Sequence, residues 1–140
     1  MKITFLSPPP NISGGQRVIA IYADQLAALG HDVAVVARRP PLQSTRRKVL
    51  NFVRGEKSLV SFRETHFDRM KTKLIIPSHS GPITIEDVPD ADAIIATWWE
   101  TAFEVVRLPE SKGRKFYFVQ HHEIHNHLPS TSLGVVISCL

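Results

Sequence analysis

Short apolar runs alternate with amphipathic stretches along most of this chain. Runs with the length and composition of buried strands occupy residues 2–7, 32–37, 73–77, 92–97, 114–120 and 134–138. Amphipathic patterns with three- and four-residue repeats predict helices over residues 16–29 and 97–108. Because strands and helices alternate, the pattern predicts an α/β fold in which a Rossmann-like parallel sheet carries helices on both faces.

The two predicted helices have recognisable ends and apolar faces. The first carries its apolar positions at Val18, Ile21, Tyr22, Leu26 and Leu29. Gly30 follows at the position where a helix commonly stops. In the second helix, Thr97 and Glu100 have the spacing of a capping box. Its core-facing stripe is predicted at Trp99, Phe103 and Val106.

Length and composition place the chain among ordinary globular proteins. Its 140 residues predict one domain, and a hydrophobic fraction of 43% is sufficient for a core. The single cysteine, Cys139, cannot form an internal disulfide, which fits a reducing compartment. No run approaches the ~18 apolar residues of a membrane-spanning helix, so we expect a cytoplasmic protein.

The charge is unevenly distributed along the chain. The net charge is +4, but residues 38–54 hold six basic and no acidic side chains. Such a patch suits phosphates, an anionic membrane, nucleic acid or plain solvation. Within it, residues 44–54 predict a short basic helix with apolar side chains among the cations. This helix has two open interpretations: it contacts the inner face of a membrane peripherally, or it is a solvated helix. Nucleic-acid binding rests on this cluster alone, and no nucleic-acid partner is expected.

Chemically capable residues follow the ends of the predicted strands. The carboxyl ends of parallel strands meet at one edge of the sheet, where ligands bind. The residues after these ends are 7–15, 38–39, 97–99 and 120–123. The sequence therefore predicts a binding site at that edge.

Gly14 and Gly15 stand directly before the first helix. Glycine permits a close backbone approach, and the free N–H groups and dipole of a helix start favour a phosphate. The alternative is that the pair only forms a tight turn between strand and helix.

The loop has neither the G-x-G-x-x-G nor the G-K-[ST] pattern. Arg38 and Arg39 stand where an acid would hold an NAD ribose, which keeps NADP as an alternative ligand.

The stretch QHHEIHNH concentrates histidines after the fifth strand. His121 and His122 are candidates for hydrogen bonds to a sugar or a phosphate. A metal site is the alternative, but the spacing of these side chains does not match known zinc ligands, and no metal is expected. His125 and His127 are most simply explained as surface side chains.

Trp98 and Glu100 each have a functional and a structural interpretation. The aromatic face of Trp98 is suited to stacking on a sugar or another flat ligand. Glu100 is either a carboxylate of the site or part of the helix cap, and the cap explains it more simply.

Taken in order, these residues resemble the N-terminal domain of the family 4 glycosyltransferases, often described as glycosyl transferase group 1. The resemblance covers residues 1–39, with the glycine pair and GHDV before the second strand, and residues 89–123, with PDADAIIATWWETA and KGRKFYFVQHHE. Residues 40–88 match only in general character. The resemblance implies a GT-B architecture, in which two Rossmann-like domains face each other across a cleft.

The resemblance also implies an activity and its residues. It implies a retaining transferase that moves a sugar from a UDP- or GDP-sugar donor to a glycan or a lipid-linked acceptor, without a cofactor or a metal. Gly14 and Gly15 would approach the donor diphosphate, and the catalytic group would be His121 or His122, reaching the donor sugar. The substrate-binding set is completed by Gln16, Trp98, Glu100, Gln120 and Glu123.

By this resemblance, residues 1–140 are expected to be the N-terminal, acceptor-side half of such an enzyme. The family holds most of the nucleotide in a second domain, so the chain looks truncated. No sugar transfer by this chain alone is therefore expected. The alternatives are a stand-alone module that binds a nucleotide or a sugar phosphate and, less favoured, an NADP-binding fragment of an oxidoreductase.

Overall fold

The fold is seen in residues 1–40 and 64–120, which are the residues that this computed structural model describes. The strands are β1 (Lys2–Ser7), β2 (Asp32–Ala37), β3 (Lys73–Ile75), β4 (Ala93–Ala96) and β5 (Arg114–Tyr117). The helices are α1 (Gly14–Ala28) and α2 (Trp99–Arg107). Neither of these helices is long and apolar enough to cross a membrane. The basic stretch 44–54 and the predicted strand 134–138 lie outside the described residues.

The five described strands form one parallel sheet in the order β3-β2-β1-β4-β5. β1 is central and pairs along its whole length with β2, from Lys2 opposite Asp32 to Ser7 opposite Ala37. Its other edge pairs with β4. The predicted α/β fold with a Rossmann-like parallel sheet is confirmed. Because the strand order changes direction at β1, the crevice between the ends of β1 and β4 is the switch point of the sheet, where ligands bind in such folds.

Two apolar clusters cover the two faces of the sheet, as predicted. Alternate residues of each strand point to opposite faces. The cluster under α1 includes Ile3, Phe5, Ile19, Ala23, Val33 and Val35. The cluster under α2 includes Leu6, Val36, Ile94, Ala96, Ala102 and Val105. The most buried strands, β1 and β2, therefore form the platform at whose carboxyl ends the candidate site is predicted.

Helix α1 begins two residues earlier than predicted, so that Gly14 and Gly15 lie in its first turn and not before it, and it buries a different face. Its N-cap is Ser13, whose hydroxyl accepts the Gln16 N–H at 3.5 Å, and its end is followed by Gly30 at a φ of 91°. The buried residues include Ile19, Ala20 and Ala23, whereas the predicted positions Ile21, Tyr22 and Leu29 are 47%, 51% and 75% exposed. The alanines let the helix lie close to the sheet, so they occupy the face that larger side chains were expected to fill.

The predicted capping box at the start of α2 is wrong. The Thr97 side chain is buried and donates to the Leu6 carbonyl at 2.7 Å, which ties β4 to β1. The N-cap is Trp98, and the Thr101 hydroxyl accepts the N–H groups of Thr97 and Trp98 at 3.1 and 3.0 Å. The Thr101 hydroxyl, on the third residue of the helix, thus accepts the N–H of the N-cap residue, while the Thr97 N–H also donates to the Leu6 carbonyl at 3.2 Å.

The core-facing stripe predicted for α2 is also displaced. The buried apolar residues are Ala102, Val105 and Leu108. Trp99 and Phe103 are half-buried, with their rings edge to face and the centroids 6.1 Å apart, and Val106 is 41% exposed. The helix therefore turns its smaller side chains toward the sheet, and Trp99 lies at the margin of the core.

Asp24 on α1 holds the chain that leads into β3. Its Oδ1 accepts the Thr72 hydroxyl at 2.6 Å and the N–H groups of Thr72 and Lys71 at 2.9 and 3.0 Å. Burial acts to raise the pKa of Asp24, but these hydrogen bonds outweigh it and hold the pKa below its ordinary value. The ionised carboxylate therefore stabilises the fold.

We expect Asp24→Ala to lower the free energy of unfolding by about 1–2 kcal/mol at pH 7, because three donors lose an ionised acceptor. Since the folded pKa is the lower one, this stabilisation is present above the ordinary carboxyl pKa of about 4 and is lost as the pH falls through the folded value. Urea unfolding at pH 7 and at pH 3 measures the loss of stability in the variant and the dependence of that loss on pH. Asp32→Ala, at an exposed carboxylate, is the control, and an equal loss in the two variants would contradict the prediction.

Candidate functional site

A cleft of about 590 Å³ opens at the carboxyl edge of the sheet, between the first turns of α1 and α2. It lies at the switch point beside β1 and β4, with residues that follow β5 forming its far wall. Five of the residues that the sequence singled out line it: Gly14, Gly15, Gln16, Trp98 and Gln120. The predicted site at the carboxyl edge thus corresponds to a real concavity.

The proline loop between β1 and α1 is held in shape by Gln16. The Gln16 side chain is 2% exposed. Its Nε2 donates to the Pro9 carbonyl at 2.7 Å, and its Oε1 accepts the Asn11 N–H at 2.6 Å. Because both ends of the amide are used by the loop, the Gln16 side chain positions the loop at the mouth of the cleft.

The two glycines at the start of α1 differ in their surroundings. A Cβ atom on Gly14 would meet no heavy atom within 4 Å. A Cβ atom on Gly15 would lie 2.7 Å from Oε1 of Gln120. The absence of a side chain at position 15 therefore lets the Gln120 amide lie directly over the first turn of α1. This contact was not foreseen from the sequence, because the two residues are far apart in the chain.

Replacing each glycine by alanine distinguishes the open space at Gly14 from the close contact at Gly15. Gly14→Ala is expected to stabilise the fold by about 0.5 kcal/mol, since alanine is the better helix former. Gly15→Ala gains the same propensity but displaces the flexible end of the Gln120 side chain, so we expect it to be up to about 0.5 kcal/mol less stable than Gly14→Ala. Urea unfolding measures the difference, and adding Gln120→Ala should abolish it. Equal stability of the two single variants would contradict the contact.

The described lining of the cleft is neutral and largely apolar. Hydrogen-bonding groups come from Ser13, Thr97 and Gln120, and apolar surface comes from Val18, Trp98 and Phe118. Among the described residues, no charged side chain lines the cleft. Among these residues, the groups suited to negative charge on a ligand are the N–H groups and the dipole at the start of α1. The arrangement suits a ligand with one flat or apolar part and one anionic part.

Glu100 belongs to an ion-pair network beside the cleft. Its Oε2 lies 2.7 Å from Nη1 of Arg38, which follows β2. Oε1 of Glu104 lies 2.7 Å from Nη2 of the same guanidinium and also accepts the Ile83 N–H at 2.9 Å. Glu104 is 7% exposed, and its other oxygen, Oε2, has no hydrogen-bond partner among the described residues. Glu100 is not among the residues that line the cleft, so its role in the site stays a prediction, and the Arg38 guanidinium is paired with two carboxylates.

A second polar pair that the sequence did not indicate lies in the loop after β3. Nε2 of His79 lies 2.8 Å from Oδ2 of Asp87, and this oxygen also accepts the N–H and hydroxyl of Thr84 at 2.7 and 2.9 Å. Burial acts to raise the pKa of Asp87, but the hydrogen bonds from Thr84 and His79 outweigh it and keep the pKa below the ordinary value. The pair braces this loop near the same edge of the sheet.

The remaining predicted site residues lie outside the described residues. These are His121, His122 and Glu123. Their roles, and the metal alternative that depends on them, stay predictions. Within residues 1–40 and 64–120, no three carboxylate, imidazole or thiol groups come together as metal ligands would.

The fold and the cleft define the class of this protein as an α/β protein with a Rossmann-like parallel sheet and a ligand-sized cleft at its switch point. In comparisons with known proteins, no family model, no curated protein and no solved structure matches the chain. The function is therefore argued from the residues of the cleft and from the sequence resemblance.

Proposed function

We propose that this chain is the N-terminal half of a retaining GT-B glycosyltransferase and that its cleft receives part of a UDP- or GDP-sugar donor. The observation that carries the proposal is the meeting of Gly14, Gly15, Trp98 and Gln120 at one cleft. These residues come from three separate stretches of the chain, and all three belong to the part that resembles the family. The acceptor would be a glycan or a lipid-linked sugar.

The start of α1 supports binding of a diphosphate. Gly14 and Gly15 are the first two residues of the helix, so their N–H groups have no partner within it. The open space at Gly14 lets an anion approach the backbone. Donors fixed before the reaction stabilise the negative charge that develops on a departing diphosphate, which is the chemical requirement of sugar transfer.

The opposite wall supports binding of the uncharged part of the donor. Trp98 lines the cleft with an aromatic side chain, and Gln120 adds an amide that can donate and accept. Sugars and bases combine flat or apolar faces with neutral polar edges, and the described lining has this character.

The geometry of Arg38 does not favour that residue in the NADP alternative, which leaves the exposed Arg39, whose Nε donates to the Pro77 carbonyl at 2.8 Å, as its support. A 2′-phosphate at Arg38 would need a guanidinium with free donors. Nε and both terminal nitrogens of Arg38 already contact Glu100 or Glu104 at 2.7 to 2.9 Å. A stand-alone module that binds a nucleotide or a sugar phosphate would use the same cleft as the transferase, and is the second candidate.

Thermal unfolding of the 140-residue protein with UDP, GDP, ADP and NADP tests the proposal. A nucleotide at ten times its Kd adds about 1.4 kcal/mol to the stability, or roughly 5 °C in Tm for a chain of this size. We expect UDP or GDP to give this shift and NADP to give none. Stabilisation by NADP alone would overturn the proposal. Incubation of the 140-residue protein with UDP- and GDP-sugars and candidate acceptors is expected to give no sugar transfer, and measurable transfer would contradict the expectation that this part of the enzyme is inactive alone.

The two adjacent tryptophans provide a matched test of the site. Trp98→Leu removes an aromatic face from the cleft, and we expect it to raise the Kd for the stabilising nucleotide about tenfold, the equivalent of about 1.4 kcal/mol. Trp99→Leu is the control, because Trp99 packs against Phe103 and does not line the cleft. Isothermal titration of both variants measures the difference. Equal Kd values would remove Trp98 from the site.

A further inference from the structure

One hydrogen bond to the proline loop comes from a distant part of the chain. Nε2 of His66 lies 3.2 Å from the carbonyl oxygen of Ile12, and the two residues are 54 positions apart. Because a carbonyl oxygen only accepts, the His66 ring carries a hydrogen on Nε2 and donates it. Neither residue is among those that line the cleft, so an effect of His66 on the cleft passes through the backbone of the loop.

His66 is held in place by the residues that follow it. Phe67 is 3% exposed and belongs to the apolar cluster under α1. The N–H groups of Lys71 and Thr72 donate to the Asp24 carboxylate on α1. The segment that begins with His66 is therefore fastened to α1 at two points, and from there its imidazole reaches the loop at the start of the same helix.

Ile12 directly precedes Ser13, the N-cap of α1. The Ser13 carbonyl accepts the Arg17 N–H at 3.2 Å, and the Ser13 hydroxyl accepts the Gln16 N–H at 3.5 Å. Both bonds belong to the first turn of the helix, so the direction in which the chain leaves Ile12 decides how that turn is placed. Ile12 is 58% exposed, so the bond from His66 fixes the backbone more than it satisfies a buried group.

We propose that His66 is a positioning residue for the cleft, because its bond to the Ile12 carbonyl fixes the turn whose N–H groups would receive the donor diphosphate. This inference rests on the proposed function and adds to it a residue from the part of the chain that matches the family only in general character. A ligand binds more weakly to a turn that is only partly in the competent conformation. A donor on a separately anchored segment holds the turn in that conformation and leaves the cleft free.

Two variants of His66 and one of His79 test this role by isothermal titration with UDP and GDP. His66→Leu removes the donor, and we expect it to raise the Kd for the nucleotide that binds about fivefold, as the loss of one hydrogen bond would. His66→Gln retains an N–H donor on a side chain of similar reach, so its Kd should stay within about twofold of that of the unaltered protein. His79→Leu is the matched control, because His79 bonds to Asp87 in another loop, and no change in Kd is expected.

Amide hydrogen exchange without nucleotide distinguishes positioning from a general loss of stability. In His66→Leu we expect the Arg17 N–H, which bonds to the Ser13 carbonyl, to exchange at least about threefold faster, since the first turn opens more often. The amides of β1 and β2 should exchange as in the unaltered protein. His66→Gln should restore the slow exchange of the Arg17 N–H.

The outcomes separate this inference from the proposed function. If UDP or GDP binds the unaltered protein and binds His66→Leu equally well, the inference is overturned and the proposed function stands. If neither nucleotide binds the unaltered protein, the proposed function fails and the inference fails with it. Faster exchange throughout the sheet of His66→Leu, or an equal rise of Kd in His66→Gln or His79→Leu, would also overturn the inference, because His66 would then act on stability alone.

Discussion

Replacing Arg38 by alanine is expected to lower the free energy of unfolding by about 3 kcal/mol, because it leaves the buried Glu104 carboxylate without its countercharge. The Glu104 side chain is 6% exposed and the Arg38 side chain 19% exposed. Oε2 of Glu104 already has no hydrogen-bond partner among the described residues. Only Oε1 is compensated, by Arg38 and the Ile83 N–H, so the loss of the guanidinium removes most of the stabilisation of that charge.

The control for Arg38→Ala is Arg69→Ala. Arg69 forms an ion pair with Glu64 at 2.9 Å, but their side chains are 82% and 77% exposed. An exposed pair of this kind contributes little, so we expect a change within about 0.5 kcal/mol. Urea unfolding of both variants at pH 7 gives the comparison. Losses of similar size would show that burial of Glu104 does not govern the contribution of the network.

Replacing Gly113 by alanine is expected to cost at least about 3 kcal/mol, because a new Cβ atom would have no space and the backbone angles are unfavourable. Gly113 has a φ of 106° and a ψ of 169°. The Cβ atom would lie 2.8 Å from the Ala93 nitrogen and 2.9 Å from the Asp92 carbonyl carbon. These are backbone atoms at the start of β4, where Asp92 donates to the Lys2 carbonyl and accepts from Arg114, so they cannot move aside.

Gly30→Ala separates backbone strain from steric clash as causes of the lost stability. Gly30 also has a positive φ, 91°, but a Cβ atom there would meet no heavy atom within 4 Å. We expect it to cost about 1 kcal/mol from backbone strain alone. Chemical denaturation followed by circular dichroism measures both variants. If Gly113→Ala were as stable as Gly30→Ala, the close approach of Gly113 to β4 would be wrong.

The candidate site was predictable from the sequence in its position and only in part in its contacts. The glycine pair, Trp98 and Gln120 follow strand ends, and strand ends can be located from local apolar runs. Gln16 was predicted to bind substrate, and the sequence did not reveal that its side chain also holds the proline loop. Its role depends on where the carbonyl of Pro9 points, which no spacing in the sequence reveals.

The two helices were likewise predictable from the sequence, but the faces that they bury were not. The repeats in α1 and α2 correctly predicted two helices, because helical periodicity is a property of neighbouring residues. Which stripe is buried depends on how closely the helix approaches the sheet. In α1 the alanines at positions 20 and 23 set that distance, so Tyr22 lies at the margin and not in the core.

The sequence by itself determined the α/β class, the order of the described strands and helices, the stop at Gly30 and the edge of the sheet at which the cleft lies. These features follow from local patterns and from the rule that the ends of parallel strands meet. Only the tertiary structure decided that Arg38 pairs with Glu100 and Glu104, that Gly15 makes room for Gln120 and that Gly113 lies against β4. Arg38 and its partners are 62 and 66 residues apart, and contacts over such separations are set by the packing of the whole sheet.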